Sequence, residues 1–350
     1  MRAIRFLLLP FAIFYDVITS IRNYLYDLGI LRSTSFEIPI IVVGNLSVGG
    51  TGKSPQIEYL VRFLERENKV AVLSRGYKRK SKGFILLNNS HTVSEVGDEP
   101  LQFFKKFRSI SVAVDTNRVH GIQQLRKLIT PDIILLDDAF QHRRLKAGLS
   151  ILLTPYDDVY TDDFVLPVGN LRESSRGAKR ANIIVVTKCP EHFSKPDRKQ
   201  IISKLRPLKN QVVFFSKISY KTTTSGSKNI ELGVLADYDI VLVTGIANSS
   251  PLMEFLKNKN RKLHHLKFPD HHTFSEKDIE RIQFEFNRIV SAKKLLLTTE
   301  KDYVRLSGQI SELSFLEITT EFVEDRQEFE NEIKSYCKIN SKQSYKSNQF

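Results

Sequence analysis

The chain has 350 residues, 41% hydrophobic and 26% charged, a composition that excludes a disordered polypeptide and leaves room for two domains with separate cores. Fifty-three Lys and Arg against thirty-nine Asp and Glu give a formal charge of +14, which points to a polyanionic partner: nucleic acid, anionic lipid or a phosphorylated substrate. Cys189 and Cys337 lie far apart without companions at metal-ligand spacing, so neither a disulfide framework nor a zinc site is expected, and a reducing cytoplasm fits.

From Phe6 to Ile21 the sequence reads FLLLPFAIFYDVITSI, with Arg2 and Arg5 before it, Arg22 after it, and Tyr24 and Tyr26 beyond. A membrane crossing needs about 20 uninterrupted apolar residues. Pro10 and Asp16 break this run, so it is a poor transmembrane helix. No small-residue cleavage site follows it, which argues against a signal peptide. Basic ends and interfacial tyrosines suit a helix lying among lipid headgroups. A first helix packed on the domain's own sheet accounts for the same pattern. Residues 1–30 are set apart as a membrane-associated helix.

Next comes an apolar run, Ile38 to Val43, then Gly44-Asn45-Leu46-Ser47-Val48-Gly49-Gly50-Thr51-Gly52-Lys53-Ser54, then an amphipathic stretch from Pro55 to Leu64. Strand, glycine-rich loop and helix in that order are the context of a phosphate-binding loop, where orphan N–H groups and the helix dipole favour an anion. Lys53 supplies a charge near the β- and γ-phosphates and Ser54 a hydroxyl for Mg²⁺. Ser47 stands where G-x-x-x-x-G-K-[ST] has its first glycine, and Gly49 and Gly50 supply the backbone freedom instead.

Further apolar runs at Val70–Ser74, Ile110–Val114, Ile133–Asp137, Ser150–Thr154 and Ile183–Thr187 predict strands buried on both faces. The predicted fold class is α/β: a P-loop NTPase-type, mainly parallel sheet flanked by helices over residues 31–205. A second set at Val212–Ile218, Ile240–Thr244, Leu263–Phe268, Leu295–Thr298 and Phe315–Ile318, with a helix over Glu276–Val290, predicts a smaller α/β domain over 206–338. The junction is placed between Pro190 and Leu208, a loop or hairpin tip over Lys221–Asn229, and a frayed polar tail over 339–350.

Asp137 and Asp138 close a buried strand at the edge where open α/β sheets bind ligands, and an acid there is placed to serve Mg²⁺. Phosphoryl transfer to an alcohol also needs a proton acceptor and cations for the transferring group. Gly97-Asp98-Glu99-Pro100 sets two adjacent carboxylates before a helix, although by itself the tetrapeptide reads as an N-capping Asp. In Leu166–Glu173, Arg172 can reach phosphate, as can Arg176 close behind, though a loop arginine is commonly only solvated. In Phe268-Pro269-Asp270-His271-His272-Thr273-Phe274, adjacent histidines point apart, so one histidine polarised by a carboxylate is more natural than a two-histidine metal site. Gln141-His142-Arg143-Arg144 adds polar groups to the sheet edge. Thr187-Lys188 ends a strand as a base-reading lysine does in GTPases, but Cys189-Pro190 follows in place of the acid, so guanine specificity is weakly supported.

The set VGNLSVGGTGKSP at 43–55, LSRGYKRK at 73–80, GDEP at 97–100, VAVDTNRVHG at 112–121, LLDDAFQHRRL at 135–145, LPVGNLRE at 166–173, FPDHHTF at 268–274 and LTTEKDYVRL at 297–306 resembles the tetraacyldisaccharide 4'-kinase family, the lipid A 4'-kinases of Gram-negative bacteria. The resemblance covers most of the chain in the family's order. It implies ATP and Mg²⁺ as cofactors and transfer of the γ-phosphate to the 4'-hydroxyl of a tetraacylated glucosamine disaccharide 1-phosphate, giving lipid IVA. The location it implies is the cytoplasmic face of the inner membrane, held peripherally. By the same resemblance Ser47, Val48, Gly49, Gly50, Thr51, Gly52, Lys53 and Ser54 are the ATP loop, Asp98 the catalytic base and His271 its orienting partner. Asp137 and Asp138 serve Mg²⁺ with Ser54, while Arg172 and Glu173 neighbour the phosphates and metal. Between His271 and His272, the Asp-His order favours His271.

The lipid substrate and the inner-membrane surface are thus the expected partners. No nucleic acid and no obligate protein partner are expected. The competing reading is a membrane-cycling partition or division-site ATPase with K-G-G-x-x-G-K-[ST]. Val48 occupies the position of the lysine that reaches across the dimer in that class, which disfavours it.

Overall fold

The structure is a computed structural model that describes residues 5–260 and 262–347, with side chains through residue 338. Its strands are β1 (Ile40–Asn45), β2 (Val70–Ser74), β3 (Ile85–Leu86), β4 (Ser111–Val114), β5 (Ile133–Asp137), β6 (Leu149–Pro155) and β7 (Ile183–Thr187), followed by β8 (Val212–Tyr220), β9 (Ser225–Gly226), β10 (Asp239–Thr244), β11 (Leu263–Lys267), β12 (Lys294–Thr299), β13 (Leu313–Leu316) and β14 (Ile318–Phe322). Its α-helices are α1 (Leu9–Asp27), α2 (Lys53–Leu64), α3 (Val93–Val96), α4 (Asp98–Lys106) and α5 (Arg118–Leu128), then α6 (Lys195–Leu205), α7 (Ser250–Lys257), α8 (Glu276–Asn287), α9 (Glu300–Leu306) and α10 (Arg326–Ser347).

A nine-stranded sheet runs β14-β8-β7-β6-β1-β5-β2-β4-β3, parallel except for its edge strands β14 and β3. Every residue of β1, β2, β5 and β7 is buried, as strands covered on both faces must be. Alternation divides β1 between two cores. Ile41 and Val43 pack with α2 and α4 through Ile57, Leu60 and Phe103, while Ile40 and Val42 pack with α5 through Ile122 and Leu125. A separate five-stranded sheet, β11-β10-β12-β13-β9, carries its own clusters around Val241, Ile282 and Leu306 on one face and Leu242, Leu256 and Leu297 on the other.

Two corrections follow for the expected domains. The break at 205/206 falls inside the large sheet, because β8 pairs in parallel with β7 (Ile183 opposite Val212). Neighbouring Phe214 and Phe215 supply opposite faces of that sheet. The single strand expected over Phe315–Ile318 is two strands, β13 in the small sheet and β14 in the large one, with Glu317 between them. The expected tip over Lys221–Asn229 includes β9, which pairs with β13. The chain therefore leaves the large sheet after Tyr220 and returns at Ile318. The two crossings lie side by side, where Lys221 N–H donates to the Glu317 carbonyl at 3.0 Å and its ammonium to the Glu317 carboxylate at 2.7 Å.

After the return, α10 docks on the large domain. Phe329 and Ile333 are fully buried, and the Tyr336 hydroxyl accepts from Ile40 N–H at 3.0 Å. The stretch 339–350, expected to fray, continues as helix to Ser347, and 348–350 lie outside the described residues. Phe329→Ala is expected to cost about 3–5 kcal/mol in denaturant unfolding through transfer and cavity effects. A loss below about 1 kcal/mol would show that α10 is not part of the large core.

Candidate active site

The glycine-rich loop joins β1 to α2 as the sequence order requires. Gly49 (φ 115°) and Gly52 (φ 87°) adopt left-handed backbone that a side chain would strain, and Gly52 caps α2 so that Lys53 and Ser54 open its first turn. Val48 N–H donates to the Asn170 carbonyl at 2.8 Å and Arg172 N–H to the Leu46 carbonyl at 2.7 Å, fastening the 166–173 segment along the loop. Thr187 at the end of β7 and Lys188 just after it donate to the Thr51 and Gly50 carbonyls, so Lys188 supports the loop's backbone. The Lys53 ammonium donates to Asn45 Oδ1 at 3.1 Å and lies 3.9 Å from Asp138.

Asp137 ends β5, buried, and accepts from the Ser74 hydroxyl at 3.0 Å. Burial, with the negative charges of Asp138 and Glu99 added to it, pushes its carboxyl up to about 6. Asp138 turns into left-handed backbone (φ 48°), so the paired acids diverge. Its carboxylate takes a bidentate fork from Arg172 at 3.1 and 2.7 Å. Burial opposes its ionisation, but the charges of Lys53 and Arg172 and the hydrogen bond from Arg172 hold the carboxyl below the usual range. The loops carrying these groups press together: a Cβ on Gly44 would stand 2.6 Å from Phe140 Cβ.

Glu173 faces elsewhere. Its Oε1 accepts from Arg180 at 2.7 Å and its Oε2 from the Asn23 amide of α1 at 2.6 Å, and the residue is 1% exposed. Among the described residues no group of three His, Cys, Asp or Glu side chains is gathered closely enough to hold a metal. Glu173, expected beside the metal, here joins the 166–173 segment to α1 through Asn23.

The second centre spans both domains. Asp98 is the first residue of α4, capped by Gly97, and is 7% exposed. Its Oδ2 faces His271 Nδ1 at 2.8 Å and accepts from Arg305 of α9. His271 takes left-handed backbone (φ 57°) and its N–H donates to the Gly245 carbonyl at 3.2 Å, which turns the ring to the cleft. Burial works against the Asp98 charge, but hydrogen bonds from His271 and Arg305 and the charges of Arg305 and Lys301 hold its carboxyl well below the usual range. His272 points away, 3.0 Å from Asp278 at the start of α8, so the two histidines divide between the cleft and a helix cap.

The structure also brings in residues whose sequence signal was only membership of a motif. Asn45 is buried and touches Ser47, Lys53 and Arg172. Arg118, 2% exposed, donates to the Asp137 carbonyl at 3.2 Å. Lys301 and Arg305 stand in the LTTEKDYVRL run, which local pattern assigned no role.

Comparison with known proteins agrees over nearly the whole chain. A family model described as LpxK, tetraacyldisaccharide-1-P 4'-kinase, matches residues 4–338. A protein of Flavobacterium johnsoniae named tetraacyldisaccharide 4'-kinase is 51% identical over 97% of this chain and 99% of its own length. One of the same name from Bacteroides thetaiotaomicron is 42% identical over 96% and 94%. The crystal structure of LpxK from Aquifex aeolicus in complex with ATP superposes with a TM-score of 0.76 at 28% identity, covering 95% of this chain and 99% of that one.

Glu173→Ala leaves Arg180 without its partner and is expected to lower stability by on the order of 3 kcal/mol, with Mg²⁺-dependent ATP affinity unchanged. Unchanged stability together with lost Mg²⁺ dependence would instead make Glu173 a metal ligand.

Proposed function

The chain belongs to the tetraacyldisaccharide-1-P 4'-kinase family, and from that premise we propose that Asp98 is the base of its reaction and that its acceptor is presented at a membrane surface. The protein is an ATP-dependent kinase that transfers the γ-phosphate to the 4'-hydroxyl of a tetraacylated glucosamine disaccharide 1-phosphate, forming lipid IVA in lipid A biosynthesis. The observation that carries the mechanism is the contact of Asp98 with His271 across the two domains at 2.8 Å.

In this reading the N–H groups from Gly49 to Ser54 and the Lys53 ammonium hold the phosphates. Arg172 meets charge on the transferring group once phosphate competes with Asp138 for its fork. Asp98 accepts the 4'-hydroxyl proton with His271 orienting it. Because the pair comes from two domains, cleft closure assembles the site.

The donor set also fits Mg²⁺. Asp137 is a buried acid at the end of β5, with Asp138 beside it and Ser54 on the first turn of α2, an oxygen donor set of the kind Mg²⁺ takes. These three residues would hold the ion, which when bound neutralises charge on the β- and γ-phosphates. The partition-ATPase alternative is not favoured, since Val48 offers no cation.

For the membrane, α1 supports a peripheral attachment at the cytoplasmic face of the inner membrane. Of its residues only Ala12 and Thr19 are buried, while Phe11, Ile13, Phe14, Val17 and Ile18 are exposed. Against the expectation from the shorter run Phe6–Ile21, the stretch Phe6–Asp27 is by length and composition also enough to cross a membrane. Its contacts with the catalytic segment, Tyr15 hydroxyl to the Arg172 carbonyl at 2.7 Å and Asn23 to Glu173, suit a helix lying along the surface beside the site.

Labelled ATP, Mg²⁺ and the lipid disaccharide monophosphate in detergent should yield labelled lipid. Asp98→Asn should reduce kcat by roughly 10²–10⁴ while ATP still binds, and near wild-type turnover would reject Asp98 as the base. Phe11→Asp with Phe14→Asp, at side chains 66% and 67% exposed, should release the protein from sedimenting anionic vesicles without lowering its melting temperature. Unchanged sedimentation would count against surface attachment by α1.

A further inference from the structure

Lys301 and Arg305 lie four residues apart on α9 and therefore share one helix face, and both are turned to the Asp98–His271 pair. Arg305 is held before it reaches Asp98. Its Nη1 donates to Asp302 at 2.9 Å and to the Gly245 carbonyl at 3.3 Å, and its side chain is 7% exposed. Asp302 is itself tied to Gly245 N–H at 2.9 Å and to the Thr299 hydroxyl at 2.7 Å. The guanidinium is thus a fixed cation rather than a solvated one. The Lys301 ammonium lies 3.1 Å from His271 Nε2 and 3.0 Å from Glu99.

Both donors to Asp98, His271 Nδ1 and Arg305 Nη2, converge on Oδ2. Oδ1 is left to meet a substrate hydroxyl. A lysine ammonium has only donors, so the nitrogen it faces on His271 accepts. Nε2 then carries the lone pair and Nδ1 the proton, which donates to Asp98 at 2.8 Å; Arg305 Nη2 stands farther from that nitrogen, at 3.5 Å, than the carboxylate does.

We propose that Lys301 and Arg305 are positioning residues for the kinase reaction: Lys301 selects the Nδ1–H tautomer of His271, and Arg305 clamps Oδ2 of Asp98 so that Oδ1 receives the proton from the acceptor hydroxyl. The proposal rests on the reading of Asp98 as base. It accounts for LTTEKDYVRL as a unit, with Thr299 and Asp302 bracing Arg305.

The test compares Arg305→Met, Arg305→Lys, Lys301→Met and Asp98→Asn in lipid phosphorylation, with kcat, KM for lipid and kcat/KM followed against pH, and ATP binding and melting temperature measured alongside. Besides Arg305, Asp98 is faced by Lys301 from α9 and by His271 with neighbouring Asp270 from the 268–274 turn, while Glu99 adjoins it on α4 and Asp302 braces Arg305. Arg305 lowers the Asp98 pKa. Its removal raises it, so the acid limb of kcat/KM should move to higher pH by roughly one unit or more.

Arg305→Met should lower kcat by on the order of 10–100-fold with KM changed little, and Arg305→Lys should recover part of the loss and of the pH shift. In wild-type protein labelled with ¹⁵N-histidine, the His271 ring should show the Nδ1–H tautomer, and Lys301→Met should shift it toward a mixture. An unmoved acid limb in Arg305→Met, or an Nε2–H ring in wild type, overturns the proposal while Asp98→Asn stays inactive. Turnover by Asp98→Asn would instead show that the base reading has failed, whatever the arginine does.

Discussion

The site depends on one helix held at both ends against the other domain. Asp98 opens α4 and meets His271 and Arg305; Lys106 closes it and meets Glu300 at 2.7 Å and Glu317 at 3.1 Å. Because Glu300 opens α9 and Arg305 lies near its end, the two helices lie antiparallel with ionic contacts at each end. The Lys106 ammonium, also 2.6 Å from Glu58, is enclosed among three carboxylates. One buried cation cannot neutralise them all, and burial with the charge of Glu58 pushes Glu300 up to about 7. Arg62 and Lys221 supply further cations to Glu317, Lys221 at the crossing between domains. Ionic contacts and the covalent hinge therefore meet at one place, and the geometry of Asp98 is set from there.

A second dependence joins α1 to the phosphate end of the cleft. Leu166–Glu173 lies against the glycine-rich loop through Val48 and Leu46, and it also meets α1 through the Arg172 carbonyl and the Glu173 carboxylate, and Arg5 ahead of α1 through Asn170. A helix proposed to rest on lipid thus touches the backbone of the arginine that forks onto Asp138. Buried Glu173 provides the rigid point between them, which explains a carboxylate that satisfies Arg180 and Asn23 rather than facing the acid pair.

Much of the large domain was legible because its signals are local. Apolar runs announced β1, β2, β5 and β7, and the strand–glycine loop–helix order placed Lys53 and Ser54 on the first turn of α2. Asp137 was readable as the last residue of a buried strand. The pairing of Asp98 with His271 had no local signal and came from resemblance, since the two lie far apart in the chain. The domain boundary was misplaced because an apolar strand declares that it will be buried, not which sheet it will join. Only pairing with β7 shows that β8 belongs to the large sheet, and only the crossing at Glu317 separates β13 from β14.

By itself the sequence determined the phosphate loop, the acid pair at the strand end, the apolar N-terminal helix and the motif order that identifies a lipid kinase. The first three follow from spacing along the backbone and from side-chain type, and the last from resemblance to a known family. Tertiary structure turned His271 to the cleft and His272 to a helix cap, set Glu173 between Arg180 and Asn23, and brought Arg305 and Lys301 to Asp98 and His271. Each of those depends on where a charged side chain finds its partner. Burial makes an unpartnered charge costly, and folding settles the partner between residues that chain order leaves far apart.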